Sequence, residues 1–454
     1  MTDQEPRTPA STVLTGRFAP DEERVYRHVP FDVPARLSQL HIRVSYNDQI
    51  GSSVFISGGN TLDIGLFDER GTHSGSPGFR GWSGSNKLEL TIGDAWATPP
   101  YRPGLIGAGE WQLLLGPYKI GASGLEYRVE IWFDPGLSSP SEPPGDIAYG
   151  KVSNLPEPIE PGWLRGDLHN HSLASDGDSS LPELLRTAGD VGLDFLGVTD
   201  HNAATLPDAS GLDSNLPVLI PGIEVTTYKG HWNVWGADRW FDFRLLGADD
   251  VSREMQVATG AGGVVSVNHP RPFGPNWEYG FGLDYHAIEI WNGHWPFLNS
   301  VSLGIWDMHL AMGRRVVAVG GSDTHFLKGA DQGAIPRARL GQPSLWVRPE
   351  GLTSAASILD EVRSGRSFIS AGPEGPQLLL RRAGSDSVSV RTGSARGLTL
   401  ALITSGHAFA SAAIDRDLWE GGFPIPAHAS HIRAQLLDSC GNIEAVSNAI
   451  WMEP

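Results

Sequence analysis

A chain of 454 residues that carries 56 glycines and 33 prolines gives about a fifth of its length to the two poorest helix formers. A helical bundle is excluded on that ground, and many short strands joined by turns are favoured. A hydrophobic fraction of 40% with 15 tryptophans supplies enough apolar surface for several cores, and at roughly 100–200 residues per domain the length implies more than one. Lys and Arg total 34 against 52 Asp and Glu, a net charge of −18. Sequence-independent binding to nucleic acid or anionic lipid needs a basic face, so neither is expected as a partner. The single cysteine, Cys440, excludes an internal disulfide and a thiolate metal site, while 15 histidines leave His and carboxylate as metal ligands. The first residues, MTDQEPRTP, hold no signal-peptide core, and no apolar run reaches the ~18 residues of a membrane span. A cytoplasmic protein is expected.

Three textures follow one another. Residues 1–140 alternate with period two, as in LHIRVSY, KLELTIG, WQLLLGPY and LEYRVEIWF, which predicts half-buried antiparallel strands in a β-sandwich or jelly roll. The Pro-, Gly- and Ser-rich DPGLSSPSEPPGD leads into a linker at 141–162. From 163 to 372, short apolar runs (FLGVTDH, GVVSVNHP, VVAVGGSDTH) alternate with helical patterns, two of them SLPELLRTAGDVG and LNSVSLGIWDMHLAMG. Such alternation predicts βα units and a largely parallel sheet. Residues 373–454 return to short strands and predict a small all-β domain.

The middle segment carries the chemistry. His169 and His171 share a strand face in GDLHNHS. A lone HxH means little, but Asp176, His201, Glu224, His269, Asp323 and His325 follow, mostly at the ends of apolar runs. In βα barrels the C-terminal strand ends supply the catalytic groups. His and carboxylate without Cys is the ligand set of a hydrolytic zinc, manganese or iron site.

The strings RGDLHNHSLASDG, GLDFLGVTDHN, PGIEVTTYKGHWNVWG, VNHP, EIWNG and GSDTH resemble the CehA/McbA branch, which includes carbaryl hydrolases, of the polymerase-and-histidinol-phosphatase (PHP) superfamily. The resemblance implies a distorted (β/α)7 barrel flanked by an N-terminal β-sandwich or jelly roll and a small C-terminal β-sandwich. It implies two or three divalent ions (Zn, Mn or Fe). His169, His171, Glu224 and Asp323 would hold the first, Glu224 would bridge to a second on His269, and Asp176, His201 and His325 would hold a third. A further ligand lies at His231 or Asn233, which share a strand face. Imidazole is the stronger donor, so His231 is favoured. Glu224, Asp323 and His325 are the expected catalytic groups. Asn292 and His294 are expected to touch substrate, and Trp232, Trp235, Trp277, Trp291 and Trp295 could form an aromatic pocket or belong to the core.

The implied activity is metal-dependent hydrolysis by a metal-bridging hydroxide, acting on an ester or carbamate with an aryl leaving group. A small-molecule phosphoester is the alternative substrate. A catalytically inactive binding or scaffold protein is a remote reading, since it calls for loss of motif residues and all eight are present.

Overall fold

The computed structural model describes residues 6, 9–53, 55–139, 147, 150–208, 210–236, 238–328 and 336–452. Much of the expected linker, residues 141–146, 148 and 149, lies outside them. The first unit has eight strands: β1 Thr12–Phe18, β2 Arg27–Val33, β3 Gln39–Tyr46, β4 Thr61–Phe67, β5 Phe79–Gly84, β6 Glu89–Gly93, β7 Gly109–Lys119 and β8 Leu125–Phe133. They form two antiparallel sheets ordered β1-β8-β3-β6 and β2-β7-β4-β5, the strand order of a jelly roll. Leu40, Ile42, Val44, Leu113, Leu115, Val129 and Ile131 fill the space between the sheets. The second sheet is buried on its other face too. Phe67, Phe79, Trp82 and Leu114 point away from the sandwich and pack with Trp240, Phe241 and Phe243 of the middle segment. β4, TLDIGLF, is therefore buried along its whole length.

The middle segment contains β9 Leu164–Asp167, α1 Leu181–Asp190, β10 Phe195–Val198, β11 Val218–Thr227, β12 Gly230–Trp235, α2 Ala248–Gly260, β13 Val264–Val267, β14 Ala287–Asn292, α3 Asn299–Ala311 and β15 Val317–Gly321. Glu183 Oε2 accepts from the Ser180 amide at 2.7 Å and closes the amide end of α1. These strands neighbour one another in sequence order from β9 to β15. A parallel bridge between Asn170, just after β9, and Thr324, just after β15, brings the two ends of the ribbon together.

The expected alternation of strand and helix is not carried through. Four α-helices occur among the described residues, and β12 runs antiparallel to both β11 and β13. The physical reason lies in the β11–β12 connection. A two-residue turn at Tyr228 and Lys229 makes a hairpin there, and a parallel crossover needs a dozen residues or more.

β16 Ser344–Val347, α4 Ala355–Ser364 and β17 Ser367–Ser370 follow, then β18 Gln377–Arg382, β19 Ser387–Gly393, β20 Thr399–Thr404, β21 His407–Ala413, β22 Trp419–Pro424, β23 His431–Leu437, β24 Ile443–Ser447 and β25 Ile450–Trp451. The last unit is not a detached sandwich. β17 pairs with β24, so the sheet of the middle segment runs on through β24, β23, β20 and β21, with β18, β19 and β22 as a separate three-stranded sheet. No helix among the described residues is long and apolar enough to cross a membrane.

Candidate metal centre

Each of the seven strands β9–β15 delivers a polar side chain to one end of the ribbon. His169 and His171 follow β9, His201 follows β10, Glu224 lies in β11, His269 follows β13, Glu289 lies in β14, and Asp323 and His325 follow β15. His231 sits at the start of β12, and because that strand is antiparallel its start reaches the end where its neighbours finish. Close approach of the backbone explains two small residues in the motifs. A Cβ at Gly177 would lie 2.4 Å from the His171 carbonyl oxygen, and one at Gly321 would lie 2.4 Å from His169 Cβ. His269 and Asp323 hold φ of 28° and 56°, and such strained backbone persists only where its surroundings enforce it.

Glu224 is at the centre and fully buried. Its Oε1 lies 3.4 Å from His169 Nε2, 3.2 Å from His231 Nδ1 and 3.4 Å from His269 Nε2. Its Oε2 lies 3.5 Å from His171 Nε2 and 2.8 Å from His201 Nδ1. Asp323 Oδ1 is 3.0 Å from His171 Nε2 and 3.3 Å from His169 Nε2. Asp176 Oδ1 faces His325 Nε2 at 3.3 Å and His201 Nε2 at 3.7 Å. The His171 ring lies 4.0 Å from that of His325 and 4.3 Å from that of His201. Among the described residues, four overlapping groups have ligand atoms close enough for one ion: His171, Asp176, His201 and His325; His169, His171 and Asp323; His169, Glu224 and His269; His201, Glu224 and His231.

The electrostatics are those of a site built around cations. Burial alone would raise the Glu224 and Asp323 carboxyls, yet the surrounding imidazoles hold both well below the carboxylate range. Burial, reinforced by His325 and His201, pushes His171 down to about 3, so its ring stays neutral and free to bind an ion. His169 Nε2, Asp176 Oδ1 and Glu224 Oε2 are buried without a hydrogen-bond partner. Buried polar atoms left unpaired are costly, and these three converge with nitrogen and oxygen donors of the type that hard or borderline divalent ions take. The residues fit the implied ions.

No family model matches the chain, and no curated protein matches it. Among solved structures, a two-domain protein of Bacteroides vulgatus containing a predicted PHP-like metal-dependent phosphoesterase is 16% identical with a TM-score of 0.38, the match covering 67% of this chain and 100% of that one. A candidate metal-dependent phosphoesterase of Bifidobacterium adolescentis is 19% identical with a TM-score of 0.25, over 43% of this chain and 94% of that one. Likeness at this level assigns no activity.

A second ring of side chains holds the first. Glu289 Oε1 contacts His169 Nδ1 at 3.0 Å, while its Oε2 accepts from the His269 amide at 3.0 Å and from Asn292 Nδ2 at 3.1 Å. Asn268 Nδ2 donates to Glu224 Oε1 at 2.8 Å. Asp167 accepts from the amides of His169, Ser322 and Gly341, and burial outweighs those bonds to push its carboxyl up to about 6. Asp200 points away from His201, to Ser172 and Ser175. Sequence reasoning missed Glu289 and Asn268. AIEIW and VNHP contain them, but alternation and motif matching do not mark which polar residue beside a ligand turns inward. Asn292 binds Glu289 and Arg271, and His294 Nε2 contacts the Arg337 carbonyl.

A cavity of about 1220 Å³ reaches Asp176, His201 and His231. Its walls come from both sides of a junction: Tyr46, Phe55, Asp63, Trp82 and Tyr118 from the jelly roll, Tyr228, Phe273 and Phe326 from the middle segment. The five tryptophans near the motifs are not among the residues lining it. Trp232 and Trp235 are core residues at 0% and 1% exposure, because β12 is covered on both faces.

Proposed function

We propose that this chain is a metal-dependent hydrolase of the PHP type, with a jelly roll to about 140, a distorted barrel over 163–372 and a β unit to 454. The closure of β9–β15 by the Asn170–Thr324 bridge supports the distorted barrel. The observation that carries the hydrolase reading is Glu224, whose two oxygens face different sets of imidazoles. That is the disposition of a carboxylate bridging two cations. His169, His171, Asp176, His201, His231, His269, Asp323 and His325 would complete the ligands of two or three ions, with His231 favoured over Asn233 by its 3.2 Å approach to Glu224. Divalent ions supply Lewis acidity there and lower the pKa of water from about 15.7 to about 7. Glu289 fixes the His169 ring through Nδ1 and leaves Nε2 turned to the centre, the usual support for a ligating imidazole.

The substrate read from the cavity is a carboxylic or carbamic ester with an aryl leaving group. Aromatic walls favour such a group. Phosphoryl groups are commonly clamped by Arg or Lys. Among the described lining residues the Arg or Lys is Arg24, and it faces Glu278 at 3.5 Å.

Metal analysis of the purified chain, with turnover of aryl carbamates, aryl esters and nitrophenyl phosphoesters before and after chelation, tests the reading. Chelation abolishes the activity, and Glu224→Gln lowers both metal content and turnover, the latter by about 10³. Rapid cleavage of phosphoesters with none of the carbon esters would replace the substrate class. Full metal content and turnover in Glu224→Gln would remove the bridging role.

A further inference from the structure

The jelly roll places a carboxylate in the same cavity as the metal centre. In β4, Leu62, Ile64 and Leu66 face the sandwich core, so by alternation Asp63 faces the middle segment, as Phe67 does. Asp63 is 6% exposed and lines the cavity with Asp176, His201 and His231. An acid in the middle of a wholly buried strand is costly unless it is paired. Among the described residues no Lys or Arg forms an ion pair with it. It is hydrogen-bonded by Ser85 and by Tyr228, at the tip of the β11–β12 hairpin, whose hydroxyl donates to Asp63 Oδ2 at 2.9 Å. Tyr26 and Tyr118 stack on the Tyr228 ring at 4.8 Å and 5.6 Å and hold it in place. Gly116 leaves room for it, since a Cβ there would lie 2.1 Å from the Tyr228 hydroxyl.

We propose that Asp63 is the proton donor to the leaving-group oxygen, so that the active site is completed across the junction between the jelly roll and the barrel. This rests on the hydrolase reading above. The other acids at the centre, Asp176, Glu224 and Asp323, are turned to imidazoles as candidate ligands, and Glu278 faces Arg24. In the step, the oxygen of water bonds to the carbonyl carbon, or to phosphorus in a phosphoester, and the bond from that centre to the leaving oxygen breaks. The Asp63 proton passes to the departing oxygen, the attacking water's proton leaves to solvent, and Asp63 is reprotonated from solvent.

The protonation state agrees. Burial pushes the Asp63 carboxyl up to about 7, against the lowering effect of hydrogen bonds from Tyr228 and Ser85. The other titratable groups facing it are the phenols of Tyr26, Tyr46 and Tyr118. Burial raises all three phenols, so they stay protonated and bring no negative charge at neutral pH. An acid that titrates near the working pH is the most effective general acid.

The test uses the full-length metal-loaded chain, its Asp63→Asn and Tyr228→Phe variants, and esters whose leaving groups run from nitrophenols to simple alcohols. Asp63→Asn lowers kcat/KM by about 10²–10³ for the alcohols and by a much smaller factor for the nitrophenols, which leave without a proton. The alkaline decline of the rate disappears with it. Tyr228→Phe moves that decline to higher pH, because the lost hydrogen bond had favoured the ionised acid. The infrared carbonyl band of a protonated carboxyl that fades near pH 7 is absent from Asp63→Asn. A folded Asp63→Asn protein with the leaving-group dependence of the wild type overturns the proposal. If that variant does not fold, an unmoved alkaline limb in Tyr228→Phe overturns it. A wild-type chain that cleaves neither these esters nor the matching phosphoesters removes the hydrolase reading itself and this step with it, a pattern distinct from either variant result.

Discussion

The two β-rich ends of the chain meet the middle segment in different ways. The jelly roll docks by a face: the sheet β2-β7-β4-β5 lays Phe67, Phe79 and Trp82 on the middle core and turns Asp63 toward the cavity. The C-terminal unit joins by an edge, with Phe368 opposite Ser447 and Ser370 opposite Ala445 in a continued ladder. Asn448 reinforces that edge by exchanging hydrogen bonds with the backbone of Ala318 at 2.7 and 2.9 Å. Edge pairing spends main-chain groups and leaves side chains to pack locally. Face docking sends side chains across. Accordingly the described residues that line the cavity run no further than Phe326. On the proposal that Asp63 is the proton donor, one flank takes part in chemistry and the other supports the middle segment.

Gly116→Ala gives the largest expected effect on this contrast. The added methyl has no room beside Tyr228 and Tyr26, so the Tyr228 ring or the docked face must shift, and Asp63 loses its partner's present position. A displacement on the order of 1 Å in a reacting group can cost about 10² in rate. We expect kcat/KM to fall by about that factor while bound metal, measured by elemental analysis, stays at the wild-type level. Unchanged turnover would mean that the junction can move without touching the site.

Arg433→Ala probes the other flank. Arg433 makes a two-pronged pair with Asp307 of α3 at 2.6 and 2.8 Å, its own side chain 3% exposed and that of Asp307 18% exposed. Removing it leaves a carboxylate with partial access to water, a cost of about 2–3 kcal/mol in unfolding free energy. Denaturant titration should register that loss, and kcat/KM of the folded variant should match the wild type. A large drop in turnover would erase the division between a catalytic and a supporting flank.

The contrast was only half legible in the sequence. Period-two alternation marked β3, β6, β7 and β8, because each turns one face to the sandwich core and spaces its apolar residues accordingly. TLDIGLF gave no such signal, since β4 is buried on both faces, and its one charged residue was passed over for that reason. The candidate ligands were legible because a metal centre restricts residue type at every position. The residues that orient them were not, since Glu289 and Asn268 are ordinary polar residues beside a strand end until the sheet curls. The helix α2 was also overlooked, although Val251, Met255 and Ala258, all buried, keep helical spacing. The hairpin at Tyr228, which breaks the strand–helix alternation, was hidden in a string read for its candidate ligands and tryptophans.

The smallest expected effect sharpens the comparison at the cavity mouth. Phe55 belongs to the loop between β3 and β4 and is 70% exposed, an unusual place for a large apolar ring. It faces Phe273 across the junction at 6.0 Å, and Phe273 stacks on Phe297 at 4.8 Å. An aromatic contact of this kind is worth about 0.5–1.5 kcal/mol. Phe55→Ala should therefore raise KM for an aryl carbamate or ester by roughly two- to tenfold, with a much smaller change in kcat, because a ring in the cavity wall would hold an aryl group equally before and during the chemical step. Esters that lack a ring should show little change. Steady-state kinetics with matched aryl and alkyl substrates separate the cases. An equal change for both would mean that the loop acts on the fold of the junction and not on the substrate, and the aromatic specificity read from this wall would then fall to Tyr46, Tyr118 and Phe326.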